Sequence, residues 1–247
     1  YFTIEKNCFD EFFLKYKPSL VFATDVFNNA DIHLLSEAKF RGIKTVGMIR
    51  SWDNITNKGF PRVEPDNLLV QSNVLKNQAI RHCGIKGNKI QIAGMPQYDD
   101  FINGNRISRE SFFKKIKLDP NKKLILFSPF GNRFTDTDWQ TMDILKQFIN
   151  NGEIGPAQVL ARLTPNDKIS FGDFTPDKNF YIDNPGCGFI NNISRDRELT
   201  KEDMQWLGDC LYHSDLIVAG GASIGIDAAV FDKPTILIHF DGFENKP

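Results

Sequence analysis

The amino-acid sequence predicts an α/β protein made of two doubly wound, Rossmann-like domains. Short runs that are apolar throughout, such as Leu124 to Phe127, alternate with longer amphipathic segments along the 247 residues. Continuous apolar strands are typical of a parallel sheet that helices cover on both faces. The alternation starts again after a charged, helix-like stretch at 106–117, which indicates a second domain. A turn-rich segment marks the boundary near residue 104, so the predicted domains are 1–104 and 105–247.

In the first half, four predicted strands alternate with helices. Aromatic residues at three- and four-residue spacings predict a helix over 5–16, and Pro18 ends it. Apolar runs then predict the strands, and amphipathic segments between them predict two further helices. The strands are 20–23, 44–48, 67–70 and 89–93, and the helices are 31–41 and 73–83.

The second half repeats this pattern with five predicted strands. The strands are 124–127, 159–161, 180–182, 215–218 and 235–238, and the helices are 135–149, one that begins after Thr200, and 223–231. Thr200 is followed three residues later by Asp203, in the manner of a capping box, which marks the start of a helix. The same layered architecture is therefore predicted twice.

The composition excludes several functional classes. Lys and Arg total 30 against 31 Asp and Glu, so the net charge of −1 gives no global basic field for nucleic acid. No apolar run approaches the roughly 18 residues that a membrane-spanning helix requires. The four cysteines and four histidines are scattered without metal-binding spacing, so we expect reduced thiols, no metal site and a cytoplasmic protein. The triplet Asp136-Thr137-Asp138 opens a predicted helix and is expected to cap it and to interact with its dipole, the alternative being an Asp-x-Asp metal site.

The best candidate for a ligand site is the segment 214–229, where a buried strand runs into two glycines and then into a helix of small residues. The glycines would let a ligand approach the backbone, and the N–H groups that follow would face a phosphate. Asp227, one turn into the helix, is placed to bind a ribose. The alternative is a tight strand-to-helix turn without a ligand. The candidate residues are Gly220, Gly221, Ala222, Ser223 and Asp227.

This segment resembles the nucleotide-binding stretch of GT-B glycosyltransferases, Gly-(Ser/Thr)-x-x-x-(Glu/Asp)-Ala-Ala, followed by a Lys/Arg/Gly-x-Pro turn and an apolar strand. The matching residues here are Ser223, Asp227, Ala228, Ala229, Lys233, Pro234 and the run 235–238. Asp227 stands where Glu is usual. The pattern is similar to that of CDP-glycerol glycerophosphotransferases and UDP-GlcNAc 2-epimerases. It therefore implies a nucleotide-diphosphate site more specifically than it implies a reaction.

Two further loops at strand ends extend this predicted site. The segment 162–167 resembles the Arg/Lys-x-His-Pro segment of the same families, with Thr164 where His is common. Its arginine, Arg162, has the fork geometry that suits phosphate, and a surface arginine at a strand end is the alternative. The loop 127–133 resembles the glycine-containing donor loop. Its candidate residues are Ser128 and Gly131, expected near phosphate or base, and Arg133, expected beside the diphosphate.

In the first half, polar and aromatic residues crowd the loop 47–59 that follows a predicted strand. Loops at this position often carry function. The loop resembles the Ser-Trp-Asp-Asn-x-(Thr/Ser)-x-Lys-Gly signature of bacterial GT-B proteins that assemble surface polysaccharides, and 94–99 resembles their Gly-x-Pro-x-(Phe/Tyr)-Asp hinge turn. The resemblance spans about residues 19–238 and implies an acceptor-side loop. Its candidate residues are Arg50, Ser51, Trp52, Asn54 and Lys58.

Two aspartates are candidates for a catalytic base. An inverting transferase needs a group that takes the proton from the acceptor hydroxyl, whereas a retaining enzyme needs no such base. Asp53 lies in the acceptor-side loop, and Asp25 lies at the end of the preceding strand. The alternative role for each is an Asx turn or a helix cap.

The resemblance implies a two-domain GT-B glycosyltransferase whose domains face a cleft. It would move a sugar, without a metal, from a nucleotide-activated donor to a cell-surface glycan or lipid-linked acceptor. The nucleotide sugar is a substrate, and no cofactor is expected; lipid-linked substrates imply peripheral association with the inner face of the membrane. The alternatives are a CDP-glycerol-type glycerophosphotransferase, a UDP-GlcNAc 2-epimerase-like enzyme, and a non-catalytic nucleotide- or glycan-binding module. Since the chain opens on Tyr1 and closes soon after a strand, we also expect a longer protein, incomplete here at both ends.

Overall fold

The structure, a computed structural model, describes residues 8–165, 167–188, 197–220, 223–239 and 242. It divides into two compact units, Tyr1–Pro96 and Gln97–Pro247, each built around a parallel sheet. This confirms the predicted α/β class with two Rossmann-like domains. The division falls before the boundary expected near residue 104, because Tyr98 and Phe101 pack in the core of the second unit.

The first unit is a four-stranded parallel sheet in the order β1-β2-β3-β4. Its elements are α1 (Asp10–Tyr16), β1 (Leu20–Ala23), α2 (Asn29–Phe40), β2 (Lys44–Met48), α3 (Asn54–Asn57), β3 (Asn67–Val70), α4 (Asn73–Cys83) and β4 (Ile90–Ile92). Local chemistry sets the helix ends. The hydroxyl of Ser72 accepts from the N–H of Leu75 to start α4, and Gly84 ends it in the left-handed conformation.

The second unit is a five-stranded parallel sheet in the order β11-β10-β5-β6-β7. A short antiparallel pair, β8-β9, lies between β7 and α8 along the chain. Its elements are α5 (Asp99–Asn103), α6 (Arg109–Ile116), β5 (Lys123–Ser128), α7 (Asp138–Asn150), β6 (Ala157–Arg162), β7 (Phe180–Asp183), β8 (Cys187–Gly188), β9 (Arg197–Glu198), α8 (Lys201–His213), β10 (Leu216–Ala219), α9 (Ile224–Ala229) and β11 (Thr235–Leu237). Thr200 and Asp203 form the predicted capping box of α8.

Alternate residues of β5 enter two separate cores, which is why the strand is apolar throughout. Leu124 and Leu126 pack with residues of α6, α8 and α9 on one face of the sheet. Ile125 and Phe127 pack on the other face with α7, through Met142. All of these side chains are buried, so both faces of the central strand are covered by helices.

The order of strands creates a switch point between β5 and β10. After β5 the chain adds β6 and β7 on one side, and it then returns to add β10 and β11 on the other. Ligands of open α/β sheets bind in the crevice at the carboxyl ends of such strands. In this unit those ends are Ser128 of β5 and Ala219 of β10, and the N–H of Gly220 donates to the carbonyl of Ser128 at 3.1 Å.

The differences from the predicted elements lie in short segments. Helices α3 and α5 and strands β8 and β9 are not predicted, because a helix of about one turn shows no repeat of apolar positions and these two-residue strands contain no apolar run. Helix α1 is described from Asp10, and the earlier part of the predicted 5–16 helix lies largely outside the described residues. No helix in the described part of the chain has the length and apolar character needed to cross a membrane.

Candidate functional site

A cleft of about 200 Å³ opens in the second unit at the switch point. It lies where β5, β6 and β10 end and α9 begins. Its apolar wall includes Leu163 and Ile224. The polar side chains that line it are Ser128, Arg162, Thr164, Ser223 and Asp227, so the structure brings together four of the predicted donor-site residues and the threonine that replaces the family's histidine.

Asp227 is the one acidic side chain among the described residues that line the cleft. The hydroxyl of Tyr98 donates to its Oδ1 at 2.8 Å. Burial raises the pKa of Asp227 above the ordinary range, and the bond from Tyr98 opposes that shift. Burial, followed by the charge of Asp227, also raises the pKa of Tyr98, which therefore stays a proton donor. Asp227 is thus a fixed carboxylate with one oxygen held by the protein.

The contact of Tyr98 with the candidate site residue Asp227 was not predicted from the sequence. Tyr98 stands in the predicted hinge turn at 94–99, and its bond to Asp227 joins residues far apart in the chain. Its ring also stacks on Phe101 at 5.7 Å, which anchors it in the core. The only local signal is the tyrosine of the Gly-x-Pro-x-(Phe/Tyr)-Asp turn, and that turn gave no indication of its partner.

Arg162 lines the cleft, but its charge is already paired. Its Nη1 forms an ion pair with Oδ2 of Asp183, and its Nη2 donates to the carbonyl of Asp203 at 3.2 Å. The indole N–H of Trp206 donates to the same oxygen of Asp183 at 3.1 Å. Arg162 is 5% exposed. A phosphate in the cleft would therefore contact a guanidinium group whose orientation is fixed and whose positive charge is balanced by Asp183.

Asp138 holds the loop after β5 through two backbone hydrogen bonds. The N–H groups of Phe130 and Gly131 donate to the two carboxylate oxygens of Asp138 at 2.9 and 2.8 Å. Asp138 is buried, and burial raises its pKa. The expected capping role is therefore replaced by a bond to this loop. Gly131 (φ +92°) and the exposed Arg133 are not among the described residues that line the cleft.

Gly220 has a packing role. A Cβ atom at this position would lie 2.5 Å from Cγ of Phe130, so the ring occupies the space that the sequence assigned to a ligand. The neighbouring candidates Gly221 and Ala222 lie outside the described residues. Ser223 is exposed at the rim of the cleft and makes no side-chain cap to α9.

Gly220→Ala is expected to lower the free energy of unfolding by about 1–3 kcal/mol, because the added methyl group must displace the Phe130 ring. Thermal melting would measure the loss. The matched control is Gly225→Ala in α9, where a Cβ would lie 3.7 Å from Cγ2 of Thr235, an ordinary contact. That variant should keep or slightly raise the melting temperature. Equal melting temperatures for Gly220→Ala and the wild type would contradict the packing role.

In the first unit, the loop 50–58 holds Asp53 by local hydrogen bonds. The hydroxyl of Ser51 donates to Oδ1 of Asp53, and the amide of Asn57 donates to Oδ2 at 3.2 Å. The bond from Ser51 is the main reason that the pKa of Asp53 is lowered. A lowered pKa makes Asp53 a weaker proton acceptor.

The other residues of this loop divide into buried and exposed groups. Asn54 is buried, and its Oδ1 accepts from the N–H of Ser51 at 3.1 Å, so Asn54 has a structural role. Trp52 is 51% exposed, and Arg50 and Lys58 are also exposed. The loop therefore presents an aromatic ring and two cations to its surroundings.

Asp25 lies beside Arg50 and a second carboxylate that sequence analysis missed. Asp25 is buried, accepts from the N–H of Phe27 at 3.0 Å in an Asx turn, and lies 3.5 Å from Nε of Arg50. Burial, followed by the charge of Asp25, raises the pKa of Asp31. Asp31 was assigned only to the start of a helix, since nothing local indicates its proximity to Asp25.

No group of three or more His, Cys, Asp or Glu residues that could hold a metal ion occurs in the parts of the chain that the structure describes.

No protein-family model matches the chain, and no curated protein matches it. Several solved structures do match the chain. The UDP-GlcNAc 2-epimerase of Methanocaldococcus jannaschii, in complex with UDP-GlcNAc and UDP, matches with a TM-score of 0.59 and 16% identity, over 92% of this chain and 62% of that chain. The UDP-GlcNAc 2-epimerase of Neisseria meningitidis, bound to UDP-GlcNAc, matches with a TM-score of 0.61 and 14% identity, over 92% and 61%. The S. aureus MnaA bound to UDP matches with a TM-score of 0.60 and 13% identity, over 92% and 59%.

These likenesses concern the fold. The chain spans between 59% and 62% of the length of the three structures, at identities of 13–16%. Each unit contains a parallel sheet, and the strand order of the second unit is that of a Rossmann-like domain. The predicted GT-B-like fold is confirmed.

Proposed function

We propose that this chain is the nucleotide-sugar-binding part of a GT-B enzyme that transfers a sugar to a cell-surface glycan or lipid-linked acceptor. Its second unit would hold the nucleoside diphosphate of the donor. The observation that carries the proposal is Asp227, a carboxylate held by Tyr98 inside the cleft at the switch point of the sheet. In doubly wound folds this is the position of the ligand crevice.

The cleft offers matching chemistry for each part of a nucleoside diphosphate. The oxygen of Asp227 that Tyr98 leaves available would accept from a ribose hydroxyl. The hydroxyls of Ser128, Thr164 and Ser223 would donate to phosphate oxygens. Asp183 balances the charge of Arg162. The departing diphosphate would therefore be stabilised by hydrogen-bond donors of fixed orientation more than by an excess of positive charge in the cleft.

The first unit would supply the acceptor side. Residues 51–59 carry the Ser-Trp-Asp-Asn-x-Thr-x-Lys-Gly resemblance, and Trp52 exposes a ring of the kind that stacks on sugars. For an inverting reaction, the lowered pKa of Asp53 makes it a weak base. The pair Asp25 and Asp31 is the better source of a base, because the pKa of Asp31 is raised.

Epimerisation of a nucleotide sugar is the second candidate, and the fold likeness to UDP-GlcNAc 2-epimerases favours it. The two reactions are separable in one experiment. The protein incubated with UDP-GlcNAc alone would convert it if it is an epimerase, whereas a transferase would release UDP only when an acceptor is added. Testing CDP-glycerol in parallel would detect glycerophosphotransfer, and binding without turnover in all arms would indicate a non-catalytic module.

A thermal-shift screen tests the shared basis of these reactions. UDP, GDP, CDP and CMP derivatives are compared, and at least one nucleoside diphosphate is expected to raise the melting temperature because it binds only the folded state. The donor base follows from which nucleotide stabilises most. If no nucleotide stabilises the chain at millimolar concentration, the donor site as assigned is wrong.

Nucleotide binding is expected to weaken at acid pH, from a pH above the ordinary titration range of an aspartate. The raised pKa of Asp227 means that the carboxylate protonates early as pH falls, and a protonated carboxyl accepts poorly from a ribose hydroxyl. Tyr98→Phe removes a bond that lowers this pKa, so it should move the loss of binding to higher pH. Affinity measured by calorimetry between pH 4 and 8 would show the shift. Tyr181→Phe, on β7 of the same unit, is the control, and superimposable pH profiles for Tyr98→Phe and wild type would refute the role of Asp227.

A further inference from the structure

A second and larger pocket, of about 560 Å³, lies at the opposite end of the same sheet. Its wall is formed where the chain enters β10 and β11 and where α6 begins. The lining residues are Arg106, Ile107, Ser108, Arg109, Tyr212, His213 and Lys233. Three of them are cations, and no carboxylate is among the described residues that line it.

Arg109 is fixed in this pocket by neutral partners. Its Nε, Nη1 and Nη2 donate to three backbone carbonyls at 2.8, 3.3 and 3.1 Å, those of Pro120, His213 and Lys122. Its guanidinium also lies over the ring of Phe113, 4.4 Å from the centroid. Among the described residues no carboxylate forms an ion pair with it, so its charge is held in place without being neutralised.

Lys233 places a second such charge in the same pocket. Its Nζ donates to the carbonyl of Tyr212 at 2.7 Å. Burial lowers the pKa of Lys233; the charge of Asp215 opposes this shift, and the charge of Arg109 adds to it. His213 adds no charge near neutral pH, because burial lowers its pKa, and its Nε2 lies 2.8 Å from the carbonyl of Ile107.

The carboxylates nearest to these cations have other partners. Asp209 lies 3.5 Å from Nη1 of Arg106 and accepts from the N–H of Ile107. Asp215 accepts from Lys123 at 2.8 Å and from the N–H of Leu124. Glu110, on which the charge of Arg109 acts, is fully exposed. Positive charge therefore exceeds negative charge on the pocket wall.

We propose that this basic pocket is a second ligand site, which binds a phosphate group carried on an organic molecule. Arg109 and Lys233 would bind the phosphate, and the hydroxyl of Ser108 would donate to it. The volume exceeds that of a phosphate alone, and the half-exposed ring of Tyr212 provides an apolar wall for the rest of the molecule. The phosphate belongs either to a soluble ester or to an anionic lipid headgroup. The site is independent of the proposed function of the other cleft.

Calorimetry with inorganic pyrophosphate and sedimentation with vesicles test the two sources. Lys233→Gln is the informative variant, since glutamine can still donate to the Tyr212 carbonyl while the charge is lost. Removing one charged hydrogen bond is expected to weaken binding about tenfold or more. Lys233→Arg should retain binding. Lys114→Gln is the matched control, because it removes an exposed lysine of the same unit, on α6, that does not line the pocket.

Each possible result either supports one of the two phosphate sources or overturns the proposal. Pyrophosphate binding that Lys233→Gln weakens and Lys114→Gln preserves supports a soluble phosphate ester. Binding to phosphatidylglycerol-containing vesicles but not to phosphatidylcholine vesicles, with the same dependence on Lys233, supports a lipid headgroup. No binding of either probe, or binding that Lys233→Gln leaves unchanged, overturns the proposal. Melting curves of both glutamine variants confirm that they fold.

Discussion

Asp183→Ala is expected to lower the free energy of unfolding by about 3–5 kcal/mol, the usual consequence of removing one partner of a buried ion pair. The substitution leaves the guanidinium of Arg162 buried without a counter-charge and the indole N–H of Trp206 without its acceptor. Arg162 and Asp183 are register partners at the ends of neighbouring parallel strands, so water reaches the unpaired charge poorly. Urea unfolding followed by tryptophan fluorescence would measure the change.

The double variant Arg162→Met and Asp183→Leu separates the structural role of the pair from ligand binding. Replacing a buried pair by apolar residues is often neutral for stability, so this variant should be more stable than Asp183→Ala. Its nucleotide affinity then reports on Arg162 alone. An affinity equal to wild type would remove Arg162 from the donor site. A loss below about 1 kcal/mol for Asp183→Ala would contradict the buried pair itself.

Asp227→Asn is expected to weaken nucleoside diphosphate binding by about 10- to 100-fold, with a much smaller change in stability. A hydrogen bond to a charged group contributes about 1.5–3 kcal/mol, and the asparagine amide loses the charge while keeping the size. Removing a partly buried carboxylate of raised pKa also removes the penalty of its burial, so the folded state does not depend on it. Calorimetric titration with the nucleotide selected by the thermal-shift screen would measure the affinity.

Asp232→Asn is the matched control for Asp227→Asn. Asp232 is exposed in the turn after α9 with φ of 52°, a conformation that asparagine adopts readily. The two variants carry the same change of charge in the same unit. A general electrostatic effect would reduce binding equally in both. Only a reduction confined to Asp227→Asn supports a direct contact with the ligand.

The fold was predictable because its strands can be recognised from their own residues as short apolar runs. A run such as Leu124 to Phe127 is buried on both faces of the sheet, and that burial is the reason it is apolar throughout. The capping box at Thr200 is equally local, with all of its partners within four residues. Strand positions, helix starts and the two-domain organisation therefore follow from short stretches of sequence.

The site was predictable only in its local part. Ser128, Arg162, Ser223 and Asp227 lie at the carboxyl ends of predicted strands, and the topology brings them to one cleft. Their partners come from elsewhere in the chain, and no spacing in the sequence connects them. Tyr98 reaches Asp227 from the turn before α5, Asp183 reaches Arg162 from the neighbouring strand, and Asp31 approaches Asp25 from the next helix.

Gly220 shows that a glycine after a strand can be required for packing as well as for the approach of a ligand. Glycines after a strand often allow a ligand to approach, and the sequence alone gave no reason to choose another role. The structure places the Phe130 ring over Gly220, and the loop that carries this ring is held by Asp138. Both contacts depend on how the β5 and β10 loops meet in space.

Methyl NMR spectra recorded during titration with UDP test most directly whether the nucleotide binds in the cleft of the second unit. The methyl groups of Leu163 and Ile224 line that cleft, whereas Leu145 is buried on α7 in the core on the opposite face of the sheet. We predict saturable shifts at Leu163 and Ile224, reduced in Asp227→Asn, with Leu145 unchanged. Shifts that leave Leu163 and Ile224 unaffected at saturating UDP would contradict the assignment of the donor site.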